Sequence, residues 1–67
     1  MTIFYNDNPI ELPNDYMNLE DFAGWKEIPS QGTAIAVNNR LISRDKWPVT
    51  KLANLDRITV ITAAFGG

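Results

Sequence analysis

Three observations on this chain predict an α+β fold in which one helix packs across a mixed β-sheet. Apolar runs rich in β-formers stand near both ends, Thr2-Ile3-Phe4-Tyr5-Asn6 and Ile58-Thr59-Val60-Ile61-Thr62. Between them, Leu19, Phe22 and Ala23 fall at i, i+3 and i+4 and make the one clear apolar stripe of helical spacing. A third β-rich run, Thr33-Ala34-Ile35-Ala36-Val37, follows that stripe. Strands, then a helix, then further strands, without strict βα alternation, is the α+β pattern.

Each element has local chemistry behind it. Asn6-Asp7-Asn8-Pro9 is a cluster of turn residues, and Ile10-Glu11-Leu12 alternates after it before Pro13-Asn14-Asp15 interrupts. The opening therefore reads as a β-hairpin, with Pro9 assigning its second strand to a sheet edge, where a missing N–H is tolerated. Asn18-Leu19-Glu20-Asp21 reads as a helix start: Asn18 caps a free N–H, and the acidic pair suits the positive end of the helix dipole. Gly24 is expected to begin the end of this helix, which at two to three turns must lean on a sheet to persist.

Asn38-Asn39-Arg40 can turn the chain from the third strand into Leu41-Ile42, because asparagine tolerates the left-handed conformations of tight hairpins. Ser43-Arg44-Asp45-Lys46-Trp47-Pro48 is polar around one large aromatic, and reads as a helical turn that uses Trp47 as a lid on the core. Leu55-Asp56-Arg57 leads into the last strand. The first and last strands are both apolar and suit adjacent central places, the arrangement of the β-grasp. The expected core is Ile3, Tyr5, Leu19, Phe22, Ile35, Val37, Ile58 and Val60.

Composition narrows the chemistry. At 67 residues the chain is expected to be a single domain, 1–67, near the lower size limit for a self-sufficient core. It has no cysteine and no histidine, which removes disulfides, thiolate nucleophiles, a histidine base and the usual zinc or iron–sulfur ligand sets from its own side chains. The formal net charge is −2, and the basic residues Lys26, Arg40, Arg44, Lys46, Lys51 and Arg57 are scattered rather than clustered, which argues against nucleic-acid binding. No stretch approaches the ~20 apolar residues of a membrane span, and the first residues do not resemble a signal peptide. No membrane association and a cytoplasmic location are expected. Asp15, Asp45 and Asp56 read as turn and cap residues rather than acid–base groups, since no second catalytic residue accompanies them.

The chain resembles the ThiS family, the small ubiquitin-like sulfur carriers of thiamin biosynthesis. The likeness runs through Met1-Thr2-Ile3 with Asn6-Asp7, Ala36-Val37-Asn38 followed by Ser43-Arg44 and Trp47, Asp56-Arg57-Ile58, and Gly66-Gly67. Two positions depart from the family pattern: Ser43 stands where proline is frequent, and Leu55 replaces the usual glycine before Asp56. The resemblance implies a β-grasp fold and a cycle centred on Gly67. A ThiF-like adenylyltransferase would join the Gly67 carboxylate to AMP, using ATP. A persulfide donor would then convert it to a thiocarboxylate, and a ThiG-like thiazole synthase would accept the sulfur. On this reading the chain is a protein substrate rather than an enzyme, and holds no cofactor of its own.

The residues agree with that chemistry. Glycine at Gly66 and Gly67 lets a backbone enter a narrow channel, and leaves a terminal carboxylate sterically open. A tail over residues 64–67 is expected to extend from the domain. If Ile58 and Val60 point inward, Ile61, Ala63 and Phe65 point outward near Phe4, and these four form the expected partner-binding patch. Trp25 could anchor an interface, whereas Trp47 suits the core. Two other functions fit the same residues. One is a MoaD-like small subunit of molybdopterin synthase, alike in tail and activation but with another sulfur acceptor. The other is a ubiquitin-like interaction domain without covalent chemistry.

Overall fold

Two asparagine-led turns set the sheet. In the computed structural model, which describes residues 1–62, Asn6 and Asp7 take φ of 48° and 71°, and Asn38 and Asn39 take 52° and 68°. Consecutive left-handed residues match the natural twist of paired strands, so each pair closes a two-residue hairpin. The first joins β1 (Thr2–Tyr5) to β2 (Asn8–Glu11), and the second joins β3 (Thr33–Val37) to β4 (Arg40–Ile42). The last strand, β5 (Arg57–Thr62), lies between the hairpins, giving the order β2-β1-β5-β3-β4. It runs parallel to β1 and antiparallel to β3, so the sheet is mixed. Pro9 lies on the edge strand β2, opposite Phe4.

The helix α1 (Leu19–Trp25) begins with a capping box. Asp21 N–H donates to Asn18 Oδ1 at 2.7 Å, and Asn18 N–H donates back to Asp21 Oδ2 at 3.2 Å. The other end of the Asn18 amide donates to Pro48 O at 3.1 Å, so one residue caps the helix and ties it to the 3₁₀ helix Arg44–Val49. Gly24 begins the end of α1, as its sequence position predicts: it is the next-to-last helical residue, and the chain leaves through a C-cap at Lys26 with Glu27 in the left-handed region at φ 55°. Leu19, Phe22 and Ala23 all face the core, as the spacing requires.

Ile3, Leu19, Phe22, Ile35 and Ile58 are fully buried. Tyr5, Val37 and Val60, expected alongside them, are only half-buried and pack on the margin of the core. Leu12, Met17, Ala23, Trp47 and Leu52 complete the interior instead. Leu12, Met17 and Leu52 come from irregular segments, where no periodicity signals burial. Those segments are tied across one another by Leu52 N–H to Met17 O at 3.1 Å and Leu19 N–H to Thr50 O at 2.8 Å. Trp47 closes the core as its place in the sequence indicates, with its indole Nε1 donating to Ile42 O at 3.2 Å. The Arg44 guanidinium lies 4.7 Å over its ring and 3.5 Å from Glu20 Oε1, which occupies this arginine within the fold.

Candidate functional site

The strand that leads toward Gly67 is held from both sides by side-chain amides. On one flank Asn6 Oδ1 accepts from Val60 N–H at 2.8 Å, and Asn6 Nδ2 donates to Val60 O at 3.4 Å. On the other, Asn38 Oδ1 accepts from Arg57 N–H at 2.9 Å and Asn38 N–H donates to Arg57 O at 2.7 Å. Asn38 Nδ2 also donates to Asp56 Oδ1 at 2.9 Å, while Asp56 Oδ2 accepts from Ala53 N–H at 2.8 Å. Each asparagine therefore serves twice, as a left-handed turn residue and as a clamp that extends the ladder on β5. Their place in turns is legible in the sequence, whereas the clamping of β5 follows only from the tertiary arrangement.

The outer face of the sheet follows from the register. Ile58 points into the core, so Arg57, Thr59 and Ile61 point away from it. Ile61 is 59 % exposed and sits opposite Ala34 on β3. The next outer row is Thr59, Ala36 and Leu41, and Leu41 on β4 is 69 % exposed. Sequence reading missed Leu41, because in the pair Leu41-Ile42 alternation alone does not say which residue faces out.

Phe4 departs from expectation in two ways. It is half-buried rather than largely accessible, with the Arg57 guanidinium 5.4 Å over its ring. It also pairs with Arg57, at the opposite end of β5 from Ile61. Four residues of strand separate these positions, roughly 13 Å at the usual rise per residue. The parallel register between β1 and β5, which apolar patterning does not encode, is the reason. Ala63, Phe65, Gly66 and Gly67 lie outside the described residues, as does the tail expected over 64–67. Trp25 is partly exposed at the end of α1, where its ring stacks at a tilt, 6.3 Å from Phe22.

Among the described residues no three His, Cys, Asp or Glu side chains gather as a metal-binding group, and no helix is long and apolar enough to cross a membrane. Asp15 and Asp56 are used in local structure, the first accepting from the Met1 ammonium at 2.9 Å and the second from Asn38 and Ala53.

A mixed five-stranded sheet with β1 and β5 parallel at its centre and a helix packed across it is a β-grasp domain. The chain belongs to the ThiS family, whose model matches residues 3–67. Among solved structures, the crystal structure of the thiamine biosynthesis protein ThiS from Geobacter metallireducens is similar to it, with a TM-score of 0.86 over 100% of both chains at 14% sequence identity. At that identity the likeness establishes the fold. No curated protein sequence matches the chain.

Proposed function

We propose that this protein is a sulfur carrier of thiamin biosynthesis whose working group is the Gly67 carboxylate. The observation that carries the reading is the family match, which runs through residue 67 and so includes Gly66-Gly67. ThiS-family proteins are carriers rather than catalysts, in keeping with a chain that has neither cysteine nor histidine.

The chemistry takes two activations. A free carboxylate resists nucleophilic attack. An oxygen of Gly67 attacks the α-phosphorus of ATP on a ThiF-like partner, pyrophosphate leaves, and the acyl adenylate carries AMP as a good leaving group. The terminal sulfur of a partner's persulfide then attacks the carbonyl carbon and expels AMP, leaving an acyl disulfide. A second thiol reduces that S–S bond, itself becoming a disulfide, and frees the thiocarboxylate. This soft nucleophile passes its sulfur to a ThiG-like thiazole synthase. Ile61, with Ala63 and Phe65 beyond it and Phe4 at the far end of the same face, supplies the docking surface. The rigid clamping of β5 by Asn6 and Asn38 supports this assignment, since a strand fixed on both flanks presents its outer side chains in one register.

Incubation with a ThiF-type enzyme, ATP and a sulfur source should raise the intact mass by the difference between one sulfur and one oxygen. Deleting Gly67 moves the carboxylate back by roughly 3.5 Å of extended chain, far outside near-attack tolerance. ATP–pyrophosphate exchange should then vanish while the thermal midpoint stays put. Normal exchange by the truncated chain would sink the proposal in favour of a non-covalent interaction domain. If the thiocarboxylate forms but only a molybdopterin synthase large subunit takes the sulfur, the MoaD-like reading replaces this one.

A further inference from the structure

A cavity of about 400 Å³ opens beside the β3–β4 hairpin, away from the candidate carrier strand's C-terminal end. Its position follows from the register. Arg40 pairs with Val37, which packs on the core margin, and Ile42 pairs with the buried Ile35. Arg40 therefore stands on the inner, helix-bearing face of the sheet, where apolar residues are the rule. No residue of α1 lines the cavity, so the sheet there is left uncovered. Val37, Ile42 and Ala53 supply apolar lining, and Arg40 and Lys51 supply two positive charges.

These cations are available, unlike most others in the protein. Lys26 lies over the rings of Tyr5 and Trp25, Arg44 is shared by Glu20 and Trp47, and Arg57 covers Phe4. Among the described residues Arg40 and Lys51 form neither an ion pair nor a side-chain hydrogen bond. The one carboxylate in the cavity wall, Asp56, forms no ion pair with either of them, and its two oxygens accept from Asn38 Nδ2 and Ala53 N–H. Thr50 likewise spends its hydroxyl proton on Lys46 O at 2.7 Å. The donors left to a ligand are the guanidinium and the ammonium, above an apolar floor. The volume is that of a small-molecule site. Two cations against the single Asp56 carboxylate leave the wall net positive, which favours an anionic head group, and a guanidinium fork matches phosphate oxygens in pairs.

We propose that this cavity binds a small phosphate monoester, its dianionic head between Arg40 and Lys51 and its apolar body against Val37, Ile42 and Ala53. The site is independent of the carrier chemistry. Val37 pairs with Ile58 and Thr33 with Thr62, so the cavity and the strand's C-terminal end lie at opposite ends of β5.

Heteronuclear NMR titration of the full chain with phenyl phosphate, inorganic phosphate and benzoate tests it. Phenyl phosphate should give saturable shifts confined to residues 37–42 and 50–56, and should bind more tightly than inorganic phosphate, which lacks the apolar body, or benzoate, which carries one charge. Arg40→Gln and Lys51→Gln should each weaken it about tenfold, the usual effect of losing one charge-assisted hydrogen bond. Both side chains are exposed, so the thermal midpoint should not move. Binding should also weaken as pH falls through the ligand's second ionisation, about pH 6. Absence of saturable shifts, equal response at Lys46, affinity unchanged in both variants, or benzoate binding as tightly as phenyl phosphate would each overturn the site.

Discussion

Leu55 is held at φ 69°, in the left-handed region that a Cβ disfavours, and it is 58 % exposed. Its N–H donates to Thr2 O at 2.6 Å, so the turn geometry is imposed by the β1 contact rather than chosen by leucine. Left-handed backbone costs an L-residue roughly 1–2 kcal/mol, of which glycine's extra unfolded-state freedom takes back a part. Leu55→Gly should therefore stabilise the fold by about 0.5–1 kcal/mol, raising the thermal midpoint by several degrees in a chain this small. Leu55→Ala, which keeps the Cβ, should show no such gain; calorimetry of the pair separates relief of strain from loss of an exposed side chain.

The second residue-scale prediction concerns Met1, whose ammonium donates to Glu11 Oε2 and Asp15 Oδ1, each at 2.9 Å. The hydrogen bond to Glu11, then that to Asp15, raises the amine above its ordinary 8.0. The same amine, then the Thr2 hydroxyl, lowers Glu11 below its ordinary 4.5. A raised amine stabilises fully below pH 8.0 and loses its contribution as pH rises through the folded-state value. A lowered carboxyl stabilises above pH 4.5 and loses its contribution as pH falls through its folded-state value. Urea midpoints should thus form a plateau between those limits and fall on both sides. Glu11→Gln should flatten the acid limb, and N-terminal acetylation should flatten the alkaline one. Persistence of both limbs in the doubly altered protein would remove this network as their cause.

At the scale of elements, legibility tracked how local the determinant was. The Asn18 start, the apolar stripe at Leu19, Phe22 and Ala23, and the asparagine turns rest on neighbours within a few residues, and all stand in the structure as read. Phe4 shows the limit: its outward orientation was readable from alternation, but its distance from Ile61 depends on the parallel register of two strands more than fifty residues apart. Leu12, Met17 and Leu52 show another, since burial in irregular chain carries no period. Gly24 marks the end of α1 as its position indicates, but the left-handed residue that follows the helix is Glu27, which no sequence preference signals. A Cβ on Gly24 would meet nothing within 4 Å. Gly24→Ala should then stabilise by about 0.5–1 kcal/mol, the difference in helix propensity. A loss of stability in denaturant titration would mean that α1 needs the glycine for a reason its surroundings do not contain.

At the scale of the molecule, one sheet serves two surfaces. Its inner face carries the core, and its outer face leaves Leu41 and Ile61 exposed around the small residues Ala34 and Ala36. Small residues flanked by accessible aliphatics make a low, flat surface that another protein can cover without displacing anything. Ile61 flanks the alanines on the β5 side and contributes little to the interior, so a charge placed there separates docking from folding. Ile61→Asp should lower the unfolding free energy by no more than about 1 kcal/mol, the span of strand propensities. It should weaken binding to a ThiF-type partner by about tenfold or more, as expected for an apolar anchor replaced by a buried charge. Val49→Asp provides the comparison: it adds the same charge at a site 74 % exposed, off the sheet, and should leave binding unchanged. Titration calorimetry on the two variants decides the matter. Equal weakening would assign the effect to net charge, and an unaffected Ile61→Asp would remove this face from the docking surface.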